Sequence, residues 1–175
     1  MSNTNTRLTF ADYLETSDDE RFELLNGDLI LSPSPKEIHQ YTSSMLHLKI
    51  GTHARKCNLG KVYFSPFDVV LSDTDAVQPD LLFVSNVRAD KNTHDNVRGA
   101  PDLVVEILSP TTADRDRTIK LDMYTTHGVK EYWMVDPDSR TVIVLLRGES
   151  RFEVSGIYGE DQILCSPTLE ESASR

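Results

Sequence analysis

Apolar residues along this chain fall mostly into short, strand-length runs, interrupted by two stretches in which they recur at helical spacing. Thr9-Phe10-Ala11-Asp12 reads as the start of a short helix capped by Thr9 and fading at Ser17-Asp18-Asp19. Two apolar runs then flank Asn26-Gly27, whose tolerance of positive φ predicts a tight hairpin over Phe22 to Leu31. Ser34-Pro35-Lys36-Glu37 has the order of a helix N-cap, N1 and N3, and predicts a helix to about Cys57 with Ile38, Tyr41, Met45 and Leu48 on one face. After Asn58-Leu59-Gly60 come strand-like runs at Lys61–Ser65, Phe67–Ser72 and Val77–Val84, then a polar loop from Asn86 to Gly99.

The next run, Asp102-Leu103-Val104-Val105-Glu106-Ile107-Leu108, is the most hydrophobic strand candidate, and it contains a carboxylate. Ser109-Pro110 ends it, and Thr111 with Asp114 predicts the start of a second helix that stops at His127-Gly128. Strands follow at Tyr132–Val135 and Thr141–Leu146, with a short edge strand at Phe152–Ser155 and a frayed end from Glu170. No repeat or linker divides the 175 residues. The expected architecture is therefore one domain, a mixed α/β sandwich around a central sheet.

Composition narrows the class. Hydrophobic residues make up 38% and charged residues 26%, and no stretch approaches the roughly 20 apolar residues of a membrane helix. Residues 1–6 are polar with no signal-peptide core, and Cys57 and Cys165 have no metal-ligand spacing, so a reduced, cytoplasmic setting is expected. A net charge of −10 lowers the prior for nucleic-acid binding. Residues 51–100 are nevertheless neutral, with six cations against six acids.

Glu106 needs a physical explanation, because a carboxylate among Leu, Val and Ile loses hydration at a cost of several kcal/mol unless compensated. A hard divalent cation is one compensation, held by one or two carboxylates with water and phosphate. Asp80, opening the run Asp80-Leu81-Leu82-Phe83-Val84, is the expected co-ligand if the two strands are neighbours. Asp102 shares a strand face with Glu106, but four residues put it about 13 Å away. On the second helix Asp116, Lys120, Tyr124 and His127 form one polar stripe opposite Ile119 and Met123, and Lys120 is placed to reach the carboxylates. The competing readings are structural: Glu106 paired with Lys120 or an arginine, Asp80 as a loop terminus, Tyr124 and Trp133 as core or interface packing, Cys57 as a buried small hydrophobe. His39 and His127 lack ligand spacing, which argues against zinc.

Val77-Gln78-Pro79-Asp80-Leu81, the run from Ala100 to Pro110, then Asp116, Lys120, Tyr124, Gly128-Val129 and Glu131-Tyr132-Trp133 resemble the Uma-type restriction endonuclease domain family. Phe22-Glu23-Leu24, Gly27 and His39 fit as well, and the resemblance spans about residues 8 to 160. It implies a PD-(D/E)XK nuclease fold, a restriction-endonuclease-like mixed β-sheet flanked by helices. It also implies metal-dependent hydrolysis of phosphodiesters. Carried over by position, Asp80 and Glu106 are expected to bind Mg²⁺ (or Mn²⁺), Lys120 to stabilise charge, and Glu23 to add an acid beside the metal. The signature lysine position, two residues after Glu106, holds Leu108, so Lys120 is its expected replacement. The expected partner is nucleic acid, DNA before RNA, with no membrane role. Two alternatives stay open: a catalytically degenerate nuclease-fold binding or accessory module, and a homodimer built through the apolar strands and the Trp133 region.

Overall fold

The computed structural model describes residues 7–17 and 20–170. The polar start, the expected helix fade at Asp18-Asp19 and the frayed end past Glu170 lie outside the described residues. Two mixed sheets, rather than one central sheet, form the body of the molecule. The larger has six strands: β3 (Gly60–Phe64), β6 (Leu81–Ser85), β8 (Leu103–Ile107), β9 (Glu131–Asp136), β10 (Thr141–Arg147) and β11 (Phe152–Tyr158). Their spatial order is β11-β10-β9-β8-β6-β3, parallel only between β8 and β9. The smaller sheet holds β1 (Phe22–Leu25), β2 (Asp28–Leu31), β4 (Val69–Ser72), β5 (Asp75–Val77) and β7 (Val97–Arg98) in the order β2-β1-β5-β4-β7.

The helices are α1 (Phe10–Tyr13), α2 (Glu37–Lys56), α3 (Ala113–Arg117) and α4 (Ile119–His127). Thr9 and Asp12 close a reciprocal capping box on α1. Asn26 and Gly27 turn the β1–β2 hairpin at φ of 53° and 83°. Gly128 ends α4 at φ 89°, a left-handed stop that glycine adopts without Cβ strain.

Both faces of the large sheet are covered, so its central strands are apolar on both sides. Leu81, Phe83, Leu103, Val105, Ile107 and Trp133 pack with Ile50 and Ala54 of α2. On the other face Leu82, Val84, Val104, Leu108 and Tyr132 pack with Met123 and Tyr124 of α4 and with Val69, Val77 and Val97 of the small sheet. Pleating thus turns Glu106 toward the α4 side.

Several expectations change. The predicted strand Val77–Val84 is two strands in two sheets, parted at Gln78-Pro79-Asp80, because Pro79 has no N–H to give a continuous ladder. The Asn86–Gly99 loop contains a 3₁₀ segment, Asn86–Lys91, and β7, whose Val97 is fully buried. Helix α2 starts at Glu37 with Lys36 as its N-cap, two residues later than expected, and no side chain caps it. Its stripe of Ile38, Tyr41, Met45 and Leu48 is exposed, since the helix buries Ile50 and Ala54 instead. The second predicted helix breaks at Thr118 (φ −126°, ψ −82°) into α3 and α4; Asp116, Lys120 and Tyr124 share a buried side as their spacing predicts, whereas Ile119 is exposed. Trp133 is buried and offers no interface surface, while Cys57 is only half buried. Among the described residues no helix is long and apolar enough to cross a membrane.

Glu131, fully buried at the start of β9, accepts bonds from Trp133 Nε1 (2.6 Å), Ser166 Oγ (3.0 Å) and the Thr168 amide (3.1 Å). It ties the C-terminal 3₁₀ turn Pro167–Leu169 to the sheet. Glu131→Ala strands three donors, and a loss of about 3 kcal/mol or more is expected in urea denaturation. Hydrogen exchange should show the amides of Thr168 and Leu169 losing protection first.

Candidate active site

Glu23, Asp80 and Glu106 come from three places in the chain, brought together where the two sheets meet. The antiparallel register of β6 and β8 pairs Leu81 with Val105, so one step further sets Asp80 opposite Glu106. Glu23 enters from β1, whose residues 23 to 25 are all buried. The three acids share the wall of a cavity of about 260 Å³, with Lys120, Asp116 and His39.

Lys120 sits at the centre of the charges. Its Nζ lies 2.9 Å from Glu106 Oε1, 2.9 Å from Glu23 Oε1 and 3.7 Å from Asp116 Oδ1, and its side chain is 3% exposed. Tyr124 donates its hydroxyl to the same Glu106 oxygen at 2.6 Å. Glu23 Oε1 also accepts the Gln78 amide at 3.0 Å, and its Oε2 lies 3.5 Å from Arg115 Nη2. Asp80 Oδ2 accepts the Ile107 amide at 2.7 Å and meets His39 Nε2 at 3.1 Å.

These contacts set the proton affinities. Burial pushes the Glu106 carboxyl up to about 8, with Lys120 opposing and Asp116, Asp80 and Glu23 reinforcing the rise. Burial alone would lower the Lys120 ammonium, yet Glu106, Glu23 and Asp116 together hold it well above its ordinary value. Burial likewise raises the Asp116 carboxyl against the pull of Lys120. At His39, burial disfavours the cation, but the Asp80 hydrogen bond and charge outweigh it and raise the group.

With this geometry in view, two comparisons bear on the chain. The family model Uma2, described as "Putative restriction endonuclease", matches residues 9–174. The chain belongs to the Uma2 family. A putative nuclease from Anabaena variabilis ATCC 29413, known from a crystal structure, shares the fold at a TM-score of 0.76. It is 22% identical, and the match covers 93% of this chain and 90% of that one. No functionally curated protein matches.

In this Uma2 domain the four residues singled out by sequence, Asp80, Glu106, Lys120 and Glu23, all line one cavity. Asp102 is elsewhere, at the far end of β8, held by Lys130 (2.7 Å), Arg88 (3.4 Å) and the Ser85 amide (2.8 Å). Sequence reasoning assigned no site role to Tyr124, His39 or Arg115. Their partners are 18, 41 and 92 residues away; the signals available were the helical spacing of Tyr124 from Lys120 and the place of Tyr124 and His39 in the family pattern, and there was none for Arg115.

Among the described residues no three Asp, Glu, His or Cys side chains converge in a geometry ready to hold a metal ion. The oxygens facing the cavity still suit a hard cation. No hydrogen bond engages Glu106 Oε2 or Asp80 Oδ1 among the described residues. Glu23 Oε2 and Asp116 Oδ1 are buried without a hydrogen-bond donor. Two carboxylates with water and phosphate meet the usual demand of Mg²⁺.

The buried ion cluster predicts a mutational signature. Lys120→Met leaves three carboxylates without their ammonium and should cost about 3–5 kcal/mol in denaturant unfolding. Adding Glu106→Gln should recover part of that loss, giving a favourable coupling in the double-mutant cycle. A cost below about 0.5 kcal/mol for Lys120→Met, as for ordinary surface substitutions, would remove the buried pair from the account.

Proposed function

We propose that this Uma2 domain hydrolyses phosphodiester bonds of nucleic acid, DNA before RNA, in the cavity walled by Asp80 and Glu106. The observation that carries the reading is their placement opposite each other, Asp80 at the entry of β6 and Glu106 in β8, each with an oxygen that no hydrogen bond engages among the described residues. Asp80 and Glu106 would hold Mg²⁺ or Mn²⁺, which when bound supplies Lewis acidity and a more acidic water. The chain's own groups do the rest. The Ile107 amide and His39 fix the Asp80 carboxylate, and Lys120 and Tyr124 fix Glu106 through Oε1. Glu23 takes half of the Lys120 charge and so lets Glu106 keep a ligand oxygen toward the cavity.

A second reading has one observation of its own. The direct Lys120–Glu106 contact, with Leu108 at the signature lysine position, also suits a nuclease-fold module that binds without cleaving. Pairing of two copies belongs to the first reading: α2 turns His39 toward the cavity and Ile38, Tyr41, Met45 and Leu48 to the outside. Covering that stripe with a second copy would place two cavities on one assembly; light scattering that finds a monomer at high concentration removes it.

Calorimetric titration with Mn²⁺, followed by cleavage of duplex and single-stranded substrates, separates the two readings. The wild type should bind and cleave, and Glu106→Gln and Asp80→Asn should each reduce binding and abolish cleavage. No binding and no cleavage by the wild type, beside a working control nuclease, leaves the non-catalytic module standing.

The raised Glu106 carboxyl adds a pH signature. A ligand carboxyl must lose its proton to bind a cation. Below about 8 the Glu106 proton competes with the metal, so Mn²⁺ affinity should rise from pH 6 to pH 9. Glu106→Gln should flatten that profile; an equally steep one would assign the titration to another group.

A further inference from the structure

Phosphoryl transfer places negative charge on the non-bridging oxygens of the phosphate, which positioned cations stabilise. Lys120 is poorly placed for that task. Its ammonium touches two carboxylates at 2.9 Å, stands 3.7 Å from a third, and is almost wholly buried. The same cavity wall carries two guanidinium groups, Arg21 without a carboxylate partner among the described residues and Arg115 only loosely paired with Glu23.

Arg21 lies just before β1. Its Nη2 donates to Ser65 Oγ at 2.6 Å and its Nε to Gln78 Oε1 at 3.4 Å. Both partners are neutral, so they orient the group without cancelling its charge, and no carboxylate pairs with it among the described residues. Arg115, on α3, stands 3.5 Å from Glu23, beyond the normal N–H···O range, and its buried Nε has no partner. The Arg21 charge is felt at His39, the partner of Asp80, and the Arg115 charge at Asp116, a partner of Lys120. Both guanidinium groups line the cavity that holds the acidic pair. A guanidinium is always charged, and its planar fork of donors matches two phosphate oxygens.

We propose that Arg21 and Arg115 form a clamp on the phosphodiester of a bound nucleic-acid strand, contacting its non-bridging oxygens while Lys120 serves the carboxylates. The proposal rests on the nuclease reading and deepens it by naming the groups that grip the substrate. It explains how a chain of net charge −10 accepts a polyanion: the recognition charge is confined to the cavity.

The test is fluorescence anisotropy with labelled phosphorothioate oligonucleotides, single-stranded and duplex, in Mn²⁺ over a range of salt. Arg21→Gln and Arg115→Gln should each weaken binding about tenfold or more, as expected for lost charge-assisted hydrogen bonds. Each should also lower the salt slope by about one. Mn²⁺ affinity should stay within about twofold, the change equivalent to a few tenths of a kcal/mol. Arg21→Lys and Arg115→Lys should keep the salt slope but lose affinity, because the charge remains without the fork. If Arg115→Gln fails to fold in a thermal melt, Arg115→Lys carries that half of the test. Lys61→Gln, on the outer strand β3, is the surface control. Unchanged affinity and slope in the arginine variants, while Glu106→Gln still abolishes cleavage, overturns the clamp and leaves the nuclease reading intact. Loss of Mn²⁺ affinity in parallel with oligonucleotide binding overturns it too, since the arginines would then act through the acids. A wild type that binds neither oligonucleotide overturns both.

Discussion

The Lys120 ammonium, closed off from solvent among Glu106, Glu23 and Asp116, is the interaction on which the candidate site depends. It joins strands of both sheets to the α3–α4 pair. Burying one such ion costs several kcal/mol even after relaxation, and here one cation faces three anions. The cluster is therefore short of positive charge. Proton uptake is one remedy, and the raised carboxyls of Glu106 and Asp116 express it. A second cation at the cavity is the other remedy. The physics that makes Glu106 reluctant to ionise is the same physics that would make a divalent ion welcome beside it.

Backbone arrangement explains why this cluster forms where it does. In β8 the odd positions Leu103, Val105 and Ile107 face α2, while Val104 and, just past the strand, Leu108 belong to the core on the α4 side, and Glu106 stands between them. Asp80 owes its position to the break at Pro79, where the chain leaves the small sheet and enters the large one. Had the run from Val77 to Val84 been one continuous strand, Asp80 would have been a ladder residue rather than the residue at the junction of the sheets. Its carboxylate instead caps the Ile107 amide, the first residue beyond Glu106. Two acids far apart in sequence are thereby coupled through one peptide unit.

Local chemistry made part of this readable from sequence. The Asn26-Gly27 turn, the Thr9 capping box and the Gly128 stop each need specific backbone or side-chain properties, and each stands where sequence places it. Glu106 and Asp80 were visible because carboxylates in apolar runs are costly. The side of an apolar stripe that has a partner was not visible. Ile38, Tyr41, Met45 and Leu48 recur at helical spacing, but the sheet reaches α2 at Ile50 and Ala54 and leaves the stripe in solvent. Likewise helical spacing placed Asp116, Lys120 and Tyr124 on one stripe, and all three are buried together, but it also expected core contacts from Ile119, which is exposed. Periodicity reports a repeat along one helix; only tertiary contact decides its direction.

The same limit bears on the missing lysine. Leu108 occupies the signature position and is a buried member of the core on the α4 side, so a lysine there would have to give up most of its hydration. Lys120 on α4 is just as buried, but there Glu106, Glu23 and Asp116 surround the ammonium and offset the lost hydration. Lys120 lines the cavity, yet its ammonium is held at 2.9 Å by both Glu106 and Glu23. An ammonium so engaged can hold a ligand carboxylate in place but has little capacity left for a phosphate. Arg21 and Arg115 line the same cavity, Arg21 with neutral partners and Arg115 with a buried Nε that has none, so the proposed clamp and the displaced lysine answer one electrostatic demand.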